Sequence, residues 1–152
     1  MFIHWEPKYD TGQPLVDTEH RLLVFLFRKL DVAIKTNQSD RILKQIVLEV
    51  RRCVEFHFVS EENLMRETEY PGYESHRVAH VKLLNELNTF VAKLVENQEY
   101  PEDLLDFLNH WLVEHIANFD QQVARHVRGA SSRPVAELAY AEYLLSPATT
   151  RP

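Results

Sequence analysis

Seven residues of ligand type fall on four segments of this chain. They are His20; His57 and Glu61 in HFVSE; His76 and His80 in HRVAH; and His115 and Asp120 in HIANFD. Imidazole with carboxylate and no thiolate suits iron, manganese or zinc rather than a soft-metal site. Seven donors are too many for one tetrahedral zinc, but they fit two metal ions. Five histidines supply five nitrogens, and two bridging carboxylates supply four oxygens. One bridging oxide or hydroxide adds a bond to each ion. The total is eleven bonds where two octahedra take twelve, which leaves one position for a small exogenous ligand. Two Fe(II) ions with two carboxylates and a hydroxide carry a net charge of +1, a modest burden for a buried site.

The elements that must position these residues are helices. His20, Leu23, Phe27, Leu30 and Ile34 recur at steps of three and four, which places them on one face of a helix from about Asp17. A polar stretch ends it, and Ser39 is a candidate N-cap for a second helix running to about Glu67. The stripe of that helix is Leu43, Ile46, Val50, Cys53, His57, Glu61 and Leu64. Tyr70, Pro71 and Gly72 predict a turn. A third helix over about 73–97 carries His76, His80, Leu83, Leu87, Val91 and Leu94. Residues 97–100 read as a loop, and Pro101 suits the first position of a fourth helix, with Glu102 and Asp103 at its positive end. That helix carries Leu104, Leu108, Trp111 and His115 and stops near Gly129.

The fold class is therefore all-α: an up-down-up-down four-helix bundle behind an irregular N-terminal arm over 1–16. Residues 1–130 make one domain. Residues 131–152 form a C-terminal extension, with a short helix over 135–145 and a frayed end, SPATTRP. In each helix the ligand-type residues continue the apolar stripe and so face inward, where an unsatisfied polar group is costly. Residues four apart share a face, which brings His57 to Glu61 and His76 to His80. His115 and Asp120 are five apart, about 140° on an ideal helix, so a local π-bulge or a sideways reach is required.

Bulk properties narrow the class. Three glycines among 152 residues supply few tight turns, against a sandwich or barrel. A net charge of −6 offers no basic stripe for nucleic acid. One cysteine excludes an internal disulfide framework and agrees with a reducing cytoplasm. The first ten residues lack the pattern of a signal peptide, and no apolar run reaches membrane-spanning length. The expected location is cytoplasmic. His4, His110 and His126 read as ordinary polar residues, Cys53 as a small core residue, and Arg51, Arg52 and Glu62 as solvated.

The pattern H…HxxxE…HxxxH…HxxxxD, with the stretch HFVSEENLMRETEYPGYESHRVAH, resembles the hemerythrins, in particular the single-domain bacterial ones. The resemblance covers about residues 2–128. It implies a four-helix bundle around a non-haem di-iron centre that binds O₂ reversibly. By that resemblance His76, His80 and His115 bind one iron. His20 and His57 bind the other, which keeps the open position. Glu61 and Asp120 bridge the pair together with oxide or hydroxide. Trp5, Trp111, Leu112 and Ile116 match residues lining the O₂ pocket. The chain departs from the family at Val123, where a tyrosine often stands three residues after the bridging aspartate.

Three functions follow for comparison. The first is O₂ carriage, storage or delivery to an oxygen-using enzyme. The second is an O₂ or redox sensor acting through residues 135–152, which needs that tail to contact the bundle or a partner. The third is peroxide or nitric oxide reduction, for which the sequence shows no dedicated acid/base residue. The expectation is therefore a binding protein and not an enzyme. Oligomeric state is not written in the sequence.

Overall fold

A computed structural model of the chain describes residues 4–96 and 101–145. A 3₁₀ turn, Pro7–Tyr9, precedes α1 (Pro14–Lys35), α2 (Asp40–Glu67) and α3 (Tyr73–Val95). The fourth rod is α4 (Pro101–Trp111), a π-helical segment (Leu112–Asp120) and α5 (Gln121–Gly129), followed by α6 (Val135–Leu145). Helix α1 packs on α2, α2 on α3, and α4 on both α3 and α1, which closes a four-helix ring. The expected loop over 97–100 and the tail over 146–152 lie outside the described residues.

Local chemistry sets the boundaries. Helix α1 begins at Pro14, three residues before the expected Asp17. Its cap is Gln13, whose side chain accepts from Leu15 N (2.8 Å) and Val16 N (3.4 Å), and proline at the first position loses no bond. Asp17 instead ties down the arm, accepting from Thr11 N, Thr11 Oγ1 and Gly12 N at 2.7–3.0 Å. Gly12 is at φ +83, which a side chain would strain. Ser39 caps α2 as expected, accepting from Ile42 N at 3.4 Å. Asn37 and Glu69 adopt positive φ just past α1 and α2 and turn the chain back.

The core is layered. A large apolar cluster runs through Leu23, Phe27 and Leu30 of α1, Val47, Val50 and Val54 of α2, Leu87 of α3, and Leu104 and Leu108 of α4. A smaller one joins Val16, Leu64, Met65, Val123 and Val127 near the opposite end. The ligand-type residues gather where the two meet: His20 lies between Val16 and Leu23, Glu61 between Phe58 and Leu64, and Asp120 between Ile116 and Val123. A polar layer is thus closed above and below by apolar ones. Helix α6 rests on α1 and has no buried residue.

Candidate metal centre

All seven predicted residues converge in that layer, each no more than 4% exposed. Asp120 sits at the middle. Its Oδ2 is 3.0 Å from His20 Nε2 and 3.7 Å from His57 Nε2. Its Oδ1 is 3.1 Å from both His76 Nε2 and His115 Nε2. Glu61 Oε2 lies 3.2 Å from the Nε2 atoms of His76 and His80, and 3.9 Å from His57 Nε2. The ligand atoms fall into two overlapping groups, one of Glu61, His76, His80, His115 and Asp120, the other of His20, His57 and Asp120.

The π segment makes this possible. In a helix bonded i→i+5, residues five apart stand above one another, so His115 and Asp120 share the inner face. An α-helix over the same residues would turn one of them away.

The donor set fits a metal. Both oxygens of Glu61, both of Asp120 and Nε2 of His80 are buried without a hydrogen-bond partner among the described residues. Glu61 Oε2, both oxygens of Asp120 and His80 Nε2 lie 3.0–3.2 Å from other donor atoms of the cluster. Groups so buried carry a desolvation cost that a cation relieves. Without one, protons take its place. Burial disfavours the His57 imidazolium, but Asp120 and Glu19 beside it outweigh that and raise its pKa to about 10. Burial works the same way on His76, where Asp120 and Glu61 raise the pKa to about 9. Burial and repulsion from Asp120 oppose the Glu61 carboxylate, yet His76 and His80 hold its pKa down at about 2.

Comparison with known proteins agrees with this geometry. The family model for the hemerythrin HHE cation binding domain matches residues 11–127. The chain belongs to the hemerythrin family. It is 27% identical to a bacteriohemerythrin of Clostridium acetobutylicum over 128 residues, 80% of this chain and 98% of the relative. It is 26% identical to a bacteriohemerythrin of Stenotrophomonas maltophilia, covering 82% of this chain and 80% of the relative. It is 28% identical to a hemerythrin of Themiste dyscrita, covering 76% and 86%.

Other hemerythrin-family positions named from the sequence take varied places. Trp111, Leu112 and Ile116 are buried in the large apolar cluster, with Trp111 stacked 6.1 Å from His115. Trp5 is half-buried, its ring 6.4 Å from His20 and its Nε1 donating to Asp10 at 3.2 Å. Val123 is buried among Val16, Leu64, Met65 and Val127, so an apolar contact stands at the variable tyrosine position. A surface groove between α3 and the π segment reaches Trp111 and His115 and passes His110. His126 is half-buried and donates to Thr68 O at 2.7 Å, joining the ends of α5 and α2.

Three side chains depart from the sequence reading. Glu62, expected to be solvated, is only 18% exposed at its side chain and accepts from His80 Nδ1 at 3.1 Å. Glu19 is buried and accepts from His57 Nδ1 at 2.8 Å. Each stands one residue off the inward stripe, about 100° round the helix, where periodicity predicts solvent. The usable signal was chemical: a ligating histidine needs a partner for its other ring nitrogen, and a carboxylate beside a ligand is the nearest candidate. Arg51, also expected to be solvated, is half-buried and pairs with Glu55 at 3.7 Å.

Proposed function

We propose that this hemerythrin-family chain binds O₂ reversibly at a non-haem di-iron centre, for carriage, storage or delivery to an oxygen-using enzyme. The observation that carries the reading is Asp120, whose two carboxylate oxygens face two separate histidine groups. His76, His80 and His115 would hold one iron, and His20 and His57 the other. Glu61 and Asp120 would bridge them beside a bridging oxide or hydroxide. A bound iron pair supplies the electrons that O₂ takes up and gives back. Three nitrogens for one ion against two for its neighbour, by the bond count above, leave the open position on the His20/His57 side.

The remaining work belongs to the chain. Leu112 and Ile116, both fully buried, and Trp111 exclude water from the layer on one side, and Val123 with Leu64 does so on the other. Exclusion of water and of proton donors favours release of O₂ over its loss in reduced form. Trp5 lies against His20 and would wall the same side. Residues 1–130 form the O₂-binding domain and 131–152 an extension, in a cytoplasmic protein. Among the described residues no helix is long and apolar enough to cross a membrane.

The test is an iron assay with optical spectra of the reduced protein before air, in air, and after oxygen is removed. About two irons per chain with a spectrum that reverses is the expected result. Irreversible oxidation would overturn carriage.

A second reading has one observation behind it. Helix α6 rests on α1, the helix that bears His20, and Val135 N donates to Glu67 Oε2 at 2.8 Å. A sensor that moves this tail requires different proteolysis rates for residues 131–152 in reduced and oxidised samples. Equal rates remove that reading.

A further inference from the structure

We propose that Glu19 and Glu62 are positioning residues, each serving one half of the di-iron centre. The inference rests on the di-iron reading above. Glu19 Oε2 is 2.8 Å from His57 Nδ1, and Glu62 Oε1 is 3.1 Å from His80 Nδ1. In both histidines the opposite nitrogen, Nε2, points into the cluster. A carboxylate on Nδ1 fixes the proton there, so the Nε2 lone pair is left for a metal and the ring cannot swing. It also makes the imidazole a stronger donor.

The arrangement is selective. His57 belongs with His20 and Asp120, and His80 with His76, His115, Glu61 and Asp120. Each half therefore has one histidine braced by a carboxylate. The Nδ1 atoms of His20 and His76 are buried without a hydrogen-bond partner among the described residues, so those rings lack this brace. The two braces differ in setting. Glu19 is sealed in the core, whereas Glu62 is partly exposed and lies 3.8 Å from Arg66. Glu19 adds a negative charge beside the site, and Glu62 adds one that Arg66 partly offsets. That favours the higher oxidation state of the ion each carboxylate serves.

The experiment is iron release to a chelator from the iron-loaded full chain and from E62A, E62Q, E19A and E19Q. Glutamine keeps an acceptor without the charge, and alanine removes both. In E62A half of the iron should leave about 10- to 100-fold faster, with the other half at the wild-type rate. In E19A the same split should appear, and E19A/E62A should lose both irons fast. The glutamine variants should fall between alanine and wild type, and their midpoint potentials should rise. Iron-loaded wild type with variants that release both irons at its rate would overturn the positioning role while leaving the di-iron reading intact. Uniform acceleration of both irons in a single variant would overturn it too, because a general loosening of the fold acts on both. Wild type that holds no iron would remove the di-iron reading, and this inference with it.

Discussion

The large apolar cluster and the polar layer beside it are built by the same helices and are equally buried, yet they are held by opposite means. Leu23, Leu30 and Leu87 are 0–1% exposed, as are His20, His57 and Glu61. The leucines need only one another: removing apolar surface from water stabilises at about 25 cal/mol per Å². The polar layer loses hydration and recovers only part of it, because among the described residues both oxygens of Glu61 and of Asp120 lack a hydrogen-bond partner. One region is complete as folded; the other is complete only with a cation or with protons in its place. A single bundle thus separates the part that folds the chain from the part that works.

The sharpest way to break that contrast is at Asp120. Asp120→Ala removes the one carboxylate shared by both ligand groups. Iron content should fall from about two per chain to below one, while circular dichroism stays helical. Retention of two irons would show that Asp120 bridges nothing. The opposite experiment is Leu87→Ala in the apolar cluster, which should cost about 2–5 kcal/mol in denaturant unfolding of the metal-free protein. Its iron stoichiometry should not change. Loss of iron there would mean the two regions are not separable.

Acid and base should act on the polar layer in opposite senses with and without metal. In the metal-free protein, His57 and His76 are raised to about 10 and about 9 from 6.5. The stability they contribute is fully present below pH 6.5 and is lost as pH rises through 9 to 10. The loaded protein should behave in reverse, since metal must displace those protons and binds better as they leave. The difference in melting temperature between loaded and stripped protein should therefore widen from pH 6 to pH 9. A constant difference would refute proton–metal competition.

Smaller effects test the scaffold away from both regions. Ser39→Ala should cost about 1 kcal/mol by loss of the α2 cap, measured as a lower midpoint in urea with iron content unaltered. Truncation after residue 130 should change stability least, by less than about 0.5 kcal/mol, because α6 buries no residue of its own. A large drop on truncation would make α6 part of the bundle.

Much of this was legible in the sequence. The steps of three and four gave four amphipathic rods, and Ser39, Pro101 and Gly129 gave boundaries that the structure keeps to within a few residues. The five-residue step from His115 to Asp120 required a departure from α-helical geometry, and the structure supplies a π segment from Leu112 to Asp120. Helix α1 started early because its cap is a glutamine side chain, a weaker signal than the serine, threonine or aspartate that cap rules favour.

What the sequence determined alone was local: which residues are ligand-type, which face of each helix they share, and where that face must be rewound. Such properties depend on residues within a turn or two of one another, and the chain carries them explicitly. Only the tertiary structure decided how the helices meet. It joined Glu19 to His57 across 38 residues and Glu62 to His80 across 18. It also turned one oxygen of Asp120 toward each histidine group and set the polar layer between two apolar ones. The physical reason is that a helical stripe fixes direction around one axis only. The rotation and height of one helix against the next follow from packing summed over the whole core, which no single segment contains.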